Sequence, residues 1–192
     1  MNQKQLINAT LVGLASIIPL GASASGIAQA SIDTNAVRST ALSKHNSYRS
    51  VHRSPSMTLD GTLNNTAQQW AQNLAATGKL EHSPSSQRNG AGENLYVSYT
   101  TASSIPADNL AEAAVKSWYD EVSAYNYSNP GFSTGTGHFT QVVWKNSTQL
   151  GCGAAQGKAT LGGTEYNAFY VVCQYAPAGN VQGQFPQNVL QP

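Results

Sequence analysis

Three stretches of the chain repeat apolar residues at helical spacing and predict α-helices over residues 34–51, 62–77 and 106–123. Asp33 or Thr34 is suited to cap the first of them. Each helix has one mainly apolar side that should face the core. These sides are formed in turn by Val37, Ala41, His45, Tyr48 and His52; by Leu63, Ala67, Trp70 and Leu74; and by Leu110, Ala114, Trp118 and Glu121.

The later part of the chain has the pattern of strands. Gln149 to Ala155 and Tyr166 to Tyr175 predict a hairpin whose strands are joined by a glycine-rich loop. The apolar run Phe139 to Trp144 predicts a core strand, and His138 lies on the glycine-flanked turn before it. His138 is therefore expected at the mouth of a rigid element.

Three further ionisable residues lie in or beside packed elements. His82 and Glu93 are expected on irregular backbone, and the glycine before Glu93 allows another part of the chain to approach closely. Glu121 falls on the apolar edge of the third helix, where a carboxylate needs a partner. That partner could be a proton, a histidinium, backbone amides or a metal. His45 shares its helix face with apolar residues, so we interpret it as a packing histidine rather than a ligand.

Composition narrows the class of protein. Charged residues make up 10% of the 192 residues and the formal net charge is +1, with no basic or acidic block. The sequence therefore gives no support for nucleic-acid binding or for electrostatic membrane binding. After the first 30 residues, no apolar run approaches the roughly 18 residues that a membrane span needs.

Residues 1–30 have the features of a secretory signal peptide. A weakly basic start is followed by the apolar run Leu6 to Leu20, and small residues suited to signal peptidase lie at Ala22 to Ala24 and Ala28 to Ala30. The alternative is an uncleaved membrane anchor. Removal of the leader would leave one domain over residues 31–192 in an extracellular compartment.

Cys152 and Cys173 are the only two cysteines in the chain. In an oxidising compartment a pair without competitors is expected to form a disulfide, which would stabilise the fold by about 3 kcal/mol. The alternative is two separately buried thiols. Neither cysteine has the spacing of a redox or zinc motif.

His82, Glu93, Glu121 and His138 are the candidate chemical groups. Two imidazoles with water would suit Zn²⁺, and added oxygen ligands would suit Mg²⁺ or Ca²⁺. Their spacing matches no compact metal motif, and the chain has no GxSxG nucleophile elbow. Metal-assisted hydrolysis stays open, because metal-bound water needs no protein nucleophile.

Four ordered segments of the chain carry a family resemblance. They are Gly92 to Leu95, Trp118 to Glu121, Gly137 to Ser147 and Tyr170 to Val181. These segments resemble the signatures of the CAP superfamily, which comprises cysteine-rich secretory proteins, antigen 5 allergens and plant pathogenesis-related class 1 proteins. His45, Asn46 and Arg49 also fit the first helix of the family. The likeness covers about residues 36–183 and is closest to secreted yeast and plant members.

The resemblance implies an α+β fold, an α-β-α sandwich with a three-stranded antiparallel sheet between helical layers. It also implies one cavity lined by His82, Glu93, Glu121 and His138, in which the two histidines bind Zn²⁺ or Mg²⁺. No organic cofactor is implied. Members that bind sterols use a loop outside the cavity, and members that bind fatty acids use a groove between helices. Tyr96 to Pro106 and Tyr125 to Phe132 are the candidate segments for such a lipid.

The leading hypothesis is a secreted, non-enzymatic, monomeric protein that binds a small lipid, either a sterol or a fatty acid, and a divalent cation. The second is a metal-dependent hydrolase of the peptidase type, in which Glu93 or Glu121 is the general base. The third is an extracellular defence or host-interaction protein that acts through its surface. The chain lacks the cysteine-rich module that gives some members channel-regulating activity, so that function is not carried over.

Overall fold

A computed structural model describes residues 32–192, so the leader expected over residues 1–30 lies outside the described part. The first half contains α1 (Thr34–Val51), β1 (Thr58–Leu59), α2 (Gly61–Thr77), β2 (Gly92–Thr100) and α3 (Ala107–Asp120). A 3-10 turn (Glu121–Ala124) follows α3. The second half contains α4 (Gly137–Val143), β3 (Gln149–Leu161), β4 (Thr164–Ala176) and α5 (Phe185–Asn188).

The strands form one sheet in the order β1-β3-β4-β2. The three long strands are antiparallel, as expected. The sheet also has a fourth strand that was not expected. It is β1, which has only two residues and pairs in parallel with the start of β3.

The hairpin of β3 and β4 is longer than its sequence pattern indicated. The strands continue to Leu161 and Thr164, and Gly162 and Gly163 form the turn with φ values of 57° and 81°. Such positive φ values at both turn positions match the twist of the flanking strands and favour glycine. Cys152 lies directly opposite Cys173 in this hairpin, and the predicted disulfide is present.

Helices cover both faces of the sheet, because alternate residues of a strand point to opposite sides. On one face, β4 contributes Phe169, Val171, Cys173 and Tyr175 to a core shared with α1, α3 and α4. On the other face, Ala168, Tyr170 and Val172 pack against α2. The predicted α-β-α sandwich is confirmed. No helix within residues 32–192 combines the length and apolar character needed to cross a bilayer.

Two local predictions are wrong. The run expected as a core strand is the helix α4, with His138 in its first turn. Glu93 was expected on irregular backbone but is the second residue of β2. In addition, α3 ends at Asp120, so Glu121 begins the 3-10 turn instead of lying within the helix.

Candidate functional site

His82 and Glu93 form the first of two histidine–glutamate pairs. His82 lies in the loop after α2 and Glu93 lies on β2. His82 Nδ1 is 2.9 Å from Glu93 Oε1. The Glu93 side chain is 1% exposed, whereas the His82 side chain is 56% exposed. A buried carboxylate therefore holds an imidazole that remains open to solvent.

Glu93 uses both of its oxygens in hydrogen bonds. Oε1 also accepts the backbone N–H of Ser83 at 2.9 Å, while Oε2 accepts the Ser83 hydroxyl at 2.6 Å and Gln174 Nε2 at 2.9 Å. Burial by itself raises the pKa of Glu93, but the bonds from His82, Ser83 and Gln174 outweigh it and lower the pKa below the ordinary value. Glu93 is thus held ionised.

Glu121 and His138 form the second pair. Glu121 Oε1 lies 2.7 Å from His138 Nδ1, and Oε2 accepts the backbone N–H groups of His138 and Phe139 at 3.0 and 3.1 Å. The Glu121 carboxylate therefore has two of the partners considered from the sequence, backbone amides and an imidazole. The His138 ring also stacks on Trp118, with 6.5 Å between centroids.

The two pairs fix the same tautomer in both histidines. An ionised carboxylate only accepts hydrogen bonds, so each Nδ1 must carry the proton that it shares with its glutamate. In a neutral ring, this arrangement makes Nε2 the nitrogen without a proton. Neither Nε2 has a hydrogen-bond partner within residues 32–192.

One cleft of about 300 Å³ brings three of the four candidate residues together. His82, Glu93 and His138 line it, together with Phe132. Glu121 is not part of the lining and reaches the cleft only through His138. Asn94 also lines the cleft, and its side chain donates to the backbone carbonyl of His138 at 3.1 Å.

His82 and His138 are the residues of the cleft that could hold a metal ion. Among the described residues, no group of three or more His, Cys, Asp or Glu side chains is placed to hold a metal ion. Two imidazole nitrogens remain, each backed by a carboxylate, which is the usual support for a metal-binding histidine. Two nitrogen ligands require water or a bound molecule to complete the coordination of a metal ion.

The hydrogen bonds of Glu93 and Glu121 limit the use of either residue as a general base. An ionised carboxylate has about four acceptor positions, and Glu93 fills four of them with His82, Ser83 and Gln174. A general base must present a free lone pair to the proton that it abstracts. Glu93 would have to give up a hydrogen bond first, and Glu121 is turned towards the backbone of α4.

Residues that the sequence did not single out complete the first pair. Ser83 directly follows His82, so its position beside the candidate histidine was a usable signal. Gln174 meets Glu93 because the two are register partners across β2 and β4, and that register is not readable from the sequence. Arg88 Nη1 lies 3.7 Å from Glu93 Oε1 and also gave no sequence signal.

His45 is a packing histidine, as predicted. It is fully buried, its Nδ1 donates to the Ala41 carbonyl at 2.7 Å, and its Nε2 accepts the Tyr175 hydroxyl at 2.9 Å. Burial lowers the pKa of His45 to about 4, so the ring is neutral at pH 7. It takes no part in the cleft.

The two candidate lipid segments differ in structure. Tyr96 to Thr100 is the second half of β2 and pairs with β4. Tyr125 to Phe132 instead borders a separate cleft of about 410 Å³. Phe132 is 57% exposed and lines both this cleft and the histidine cleft.

Comparison with known sequences gives the family. The model of the CAP, or cysteine-rich secretory protein, family matches residues 42–175. Golgi-associated plant pathogenesis-related protein 1 from Homo sapiens is 44% identical over 154 residues, which cover 79% of this chain and 90% of that protein. Secreted protein RBT4 from Candida albicans is 36% identical over 191 residues. The match covers 91% of this chain but only 48% of RBT4, so the chain spans about half of that relative.

Solved structures share the fold. The crystal structure of NaASP2 with Zn²⁺ superimposes with a TM-score of 0.63 at 28% identity, over 83% of this chain and 88% of that chain. Both the sequence and the arrangement of helices around the sheet therefore agree with the resemblance noted from the four segments. The chain belongs to the CAP family of cysteine-rich secretory proteins.

Proposed function

We propose that this chain is an extracellular binding protein that holds a divalent cation between His82 and His138. The observation that carries the proposal is that both rings place Nδ1 on a carboxylate, which leaves both Nε2 atoms without a hydrogen-bond partner in residues 32–192. In the neutral rings, both Nε2 atoms are then available as metal ligands. NaASP2, a structural relative at 28% identity, was solved with Zn²⁺, which supports the choice of ion.

The cation would complete its coordination with water or with a bound molecule. When bound, the cation would act as a Lewis acid in the cleft. The chain's own groups have other tasks. Glu93 and Glu121 orient the rings by accepting Nδ1–H, and Phe132 lines the cleft beside them.

Calorimetric titration with Zn²⁺ tests this proposal. His138→Ala and His82→Ala should each weaken binding at least about tenfold, because each removes one of two protein ligands. Glu112→Gln is the matched control for charge, since Glu112 is half exposed and pairs with Lys44 far from the cleft. Unchanged affinity in both histidine variants would overturn the proposal.

We further propose that a small lipid, either a sterol or a fatty acid, lies over Phe132. This exposed ring lines two clefts, of about 300 and 410 Å³, so a ligand on it could extend into both. Pockets of this size suit small molecules, and an exposed aromatic ring between them supplies apolar contact area.

Uptake of labelled cholesterol and of labelled palmitate by the purified protein tests the lipid proposal. Phe132→Ser should reduce saturable uptake severalfold. Leu161→Ser is the control, because Leu161 is a similarly exposed apolar residue at the tip of the hairpin. Absence of saturable uptake, or equal loss in both variants, would contradict lipid binding at Phe132.

We also propose that the protein is exported and monomeric. The leader-like residues 1–30 support export, as does the relative RBT4, which is named as a secreted protein. Amino-terminal sequencing of protein from the culture medium should begin just after Ala24 or Ala30. Light scattering of that material should give the mass of one chain.

A further inference from the structure

A separate cleft opens between the first turn of α2, the turn from Arg88 to Ala91 and the segment after β4. Its volume is about 330 Å³, within the range of small-molecule pockets. Its lining is mainly apolar, and none of its residues lines the histidine cleft. The apolar wall consists of Leu63, Ala91, Ala176, Pro177 and Ala178.

Arg88 is the one charged residue in the lining of this cleft. Its Nε donates to the Ala91 carbonyl at 2.7 Å, and its Nη1 contacts the carbonyl and the hydroxyl of Ser83. These bonds hold the guanidinium against the loop, and the side chain is only 20% exposed. Nη2 has no hydrogen-bond partner in residues 32–192, so its N–H groups are free for a ligand.

The nearby carboxylates form no hydrogen bond with Arg88 Nη2. Glu93 lies 3.7 Å from Nη1 and is already held by His82, Ser83 and Gln174. Asp60, which precedes α2, accepts the backbone N–H of Leu63 as the helix cap. No acidic side chain is among the residues lining the cleft in the described part of the chain.

We propose that this cleft binds a small apolar carboxylic acid, with the carboxylate on Arg88 and the hydrocarbon part against Leu63 and Pro177. A guanidinium already fixed through its Nε and Nη1 atoms recognises a carboxylate with little loss of side-chain freedom. The apolar wall favours an alkyl or aryl tail over a bare inorganic anion. Neither the cation nor the lipid over Phe132 is needed for this site.

Binding is tested with octanoate as the probe and octan-1-ol as its uncharged counterpart. ¹H–¹⁵N NMR of the full exported chain detects the binding of each probe. Octanoate should shift the amides of residues 88–91 and 176–178, and should bind at least about tenfold more tightly than octan-1-ol because only the acid pairs with the guanidinium. Equal affinity for the two probes would overturn the proposal.

Arg88→Gln should weaken octanoate binding at least about tenfold and leave octan-1-ol unchanged. Arg53→Gln is the matched control, because Arg53 is an exposed arginine that contacts only the C-terminal segment. Since Arg88 also holds the Ser83 loop, Thr62→Trp provides a second test. Thr62 is exposed on α2 and lines the cleft, so the indole should fill the space and abolish binding of both probes.

The outcome separates this site from the proposed function. If Thr62→Trp retained full octanoate binding, the cleft would not be the site and the inference would fail. If Phe132→Ser abolished octanoate binding while Arg88→Gln did not, the acid would bind over Phe132. That result would overturn the Arg88 site and leave the proposed lipid function standing.

Discussion

Glu121 and Arg49 lie at opposite ends of the same seven-residue helix, α4. The Glu121 carboxylate accepts two backbone N–H groups at the first turn, and the Arg49 guanidinium donates to two backbone carbonyls at the last turn. A negative charge at the N-terminus and a positive charge at the C-terminus both favour a helix. The short helix that carries His138 is thus held from both ends by residues of α1 and of the turn after α3.

Arg49 should be difficult to replace, even by lysine. It is fully buried, and burial lowers its pKa to about 10, so it is charged at pH 7. Its guanidinium donates to the backbone carbonyls of Pro55, Val142, Trp144, Lys145 and Ser147. Lysine has three donors at one point and would leave some of these carbonyls unpaired, so Arg49→Lys should lower the free energy of unfolding by about 3 kcal/mol.

Urea denaturation measures this loss. The control is Arg53→Lys, because Arg53 is exposed and bonds only to the Gln191 carbonyl; its effect should stay within about 0.5 kcal/mol. If Arg49→Lys were as stable as the unaltered protein, the five carbonyl contacts would not be holding α4 in place.

These end contacts explain why the sequence pattern misjudged α4. Phe139 to Val143 is rich in β-branched and aromatic residues, which favour strands when neighbours are ignored. The charges that stabilise the helix come from residues 49 and 121, which are distant in sequence. Local propensity therefore predicted a strand, and tertiary contacts decided in favour of a helix.

The residues of the candidate site could be predicted from the sequence, but the contacts between them could not. Histidines and glutamates beside glycines and core elements are visible in a sequence, so all four candidates could be named. Their pairing was not visible, because it depends on how β2 and α4 meet the rest of the fold. Gln174 was missed because it is an ordinary polar residue whose role comes only from its contact with Glu93. Ser83 also bonds Glu93, but its position directly after His82 was a usable signal.

Glu121→Gln should change the proton position on His138. The glutamine amide cannot accept hydrogen bonds at its nitrogen, so it would either lose the backbone N–H groups or lose the bond to Nδ1. Without the carboxylate, the proton is no longer held at Nδ1, and Zn²⁺ affinity should fall about tenfold.

Long-range ¹H–¹⁵N spectra of metal-free protein report the tautomer directly. The unaltered protein should show Nδ1-protonated His138, and Glu121→Gln should show a mixture of tautomers. Glu165→Gln is the control, since Glu165 is two-thirds exposed and pairs with Lys158 on the hairpin. A single, unchanged His138 tautomer in Glu121→Gln would mean that the carboxylate does not determine which ring nitrogen carries the proton.

His45 should make the fold sensitive to acid. Its pKa is about 4 in the folded protein because the ring is buried, whereas an unfolded histidine has a pKa of about 6.5. Between these values the unfolded chain binds more protons, so the free energy of unfolding falls as the pH drops from about 6.5 to 4. The loss attributable to His45 should approach about 3 kcal/mol at pH 4 and level off below it.

His52 and Glu93 act in the same direction, so the His45 share must be isolated. Burial lowers the pKa of His52, and hydrogen bonds lower that of Glu93 despite its burial. Urea titrations of His45→Gln and of the unaltered protein at pH 7 and pH 4.5 give the loss of unfolding free energy on acidification for each protein, and the difference between the two losses is the His45 share. The variant should be less stable at pH 7 yet lose less on acidification, and parallel pH profiles would contradict the prediction.

Three glycines of β3 let α2 approach the sheet more closely than any side chain would permit. Gly151, Gly153 and Gly157 point to the same face, towards the backbone of α2. A Cβ at Gly153 would lie 2.3 Å from Gln68 Cα, and one at Gly157 would lie 2.3 Å from the Ala75 carbonyl oxygen. These contacts are with backbone atoms, which cannot rotate away as a side chain would.

Gly153→Ala should therefore destabilise the fold by about 3 kcal/mol, because α2 must move away from β3 to admit one methyl group. Gly131→Ala is the matched control, since a Cβ there has open space and the residue has no positive φ. It should change the free energy of unfolding by no more than about 0.5 kcal/mol. Equal stability of the two variants would show that α2 accommodates a Cβ, and that the glycines are not what sets its distance from the sheet.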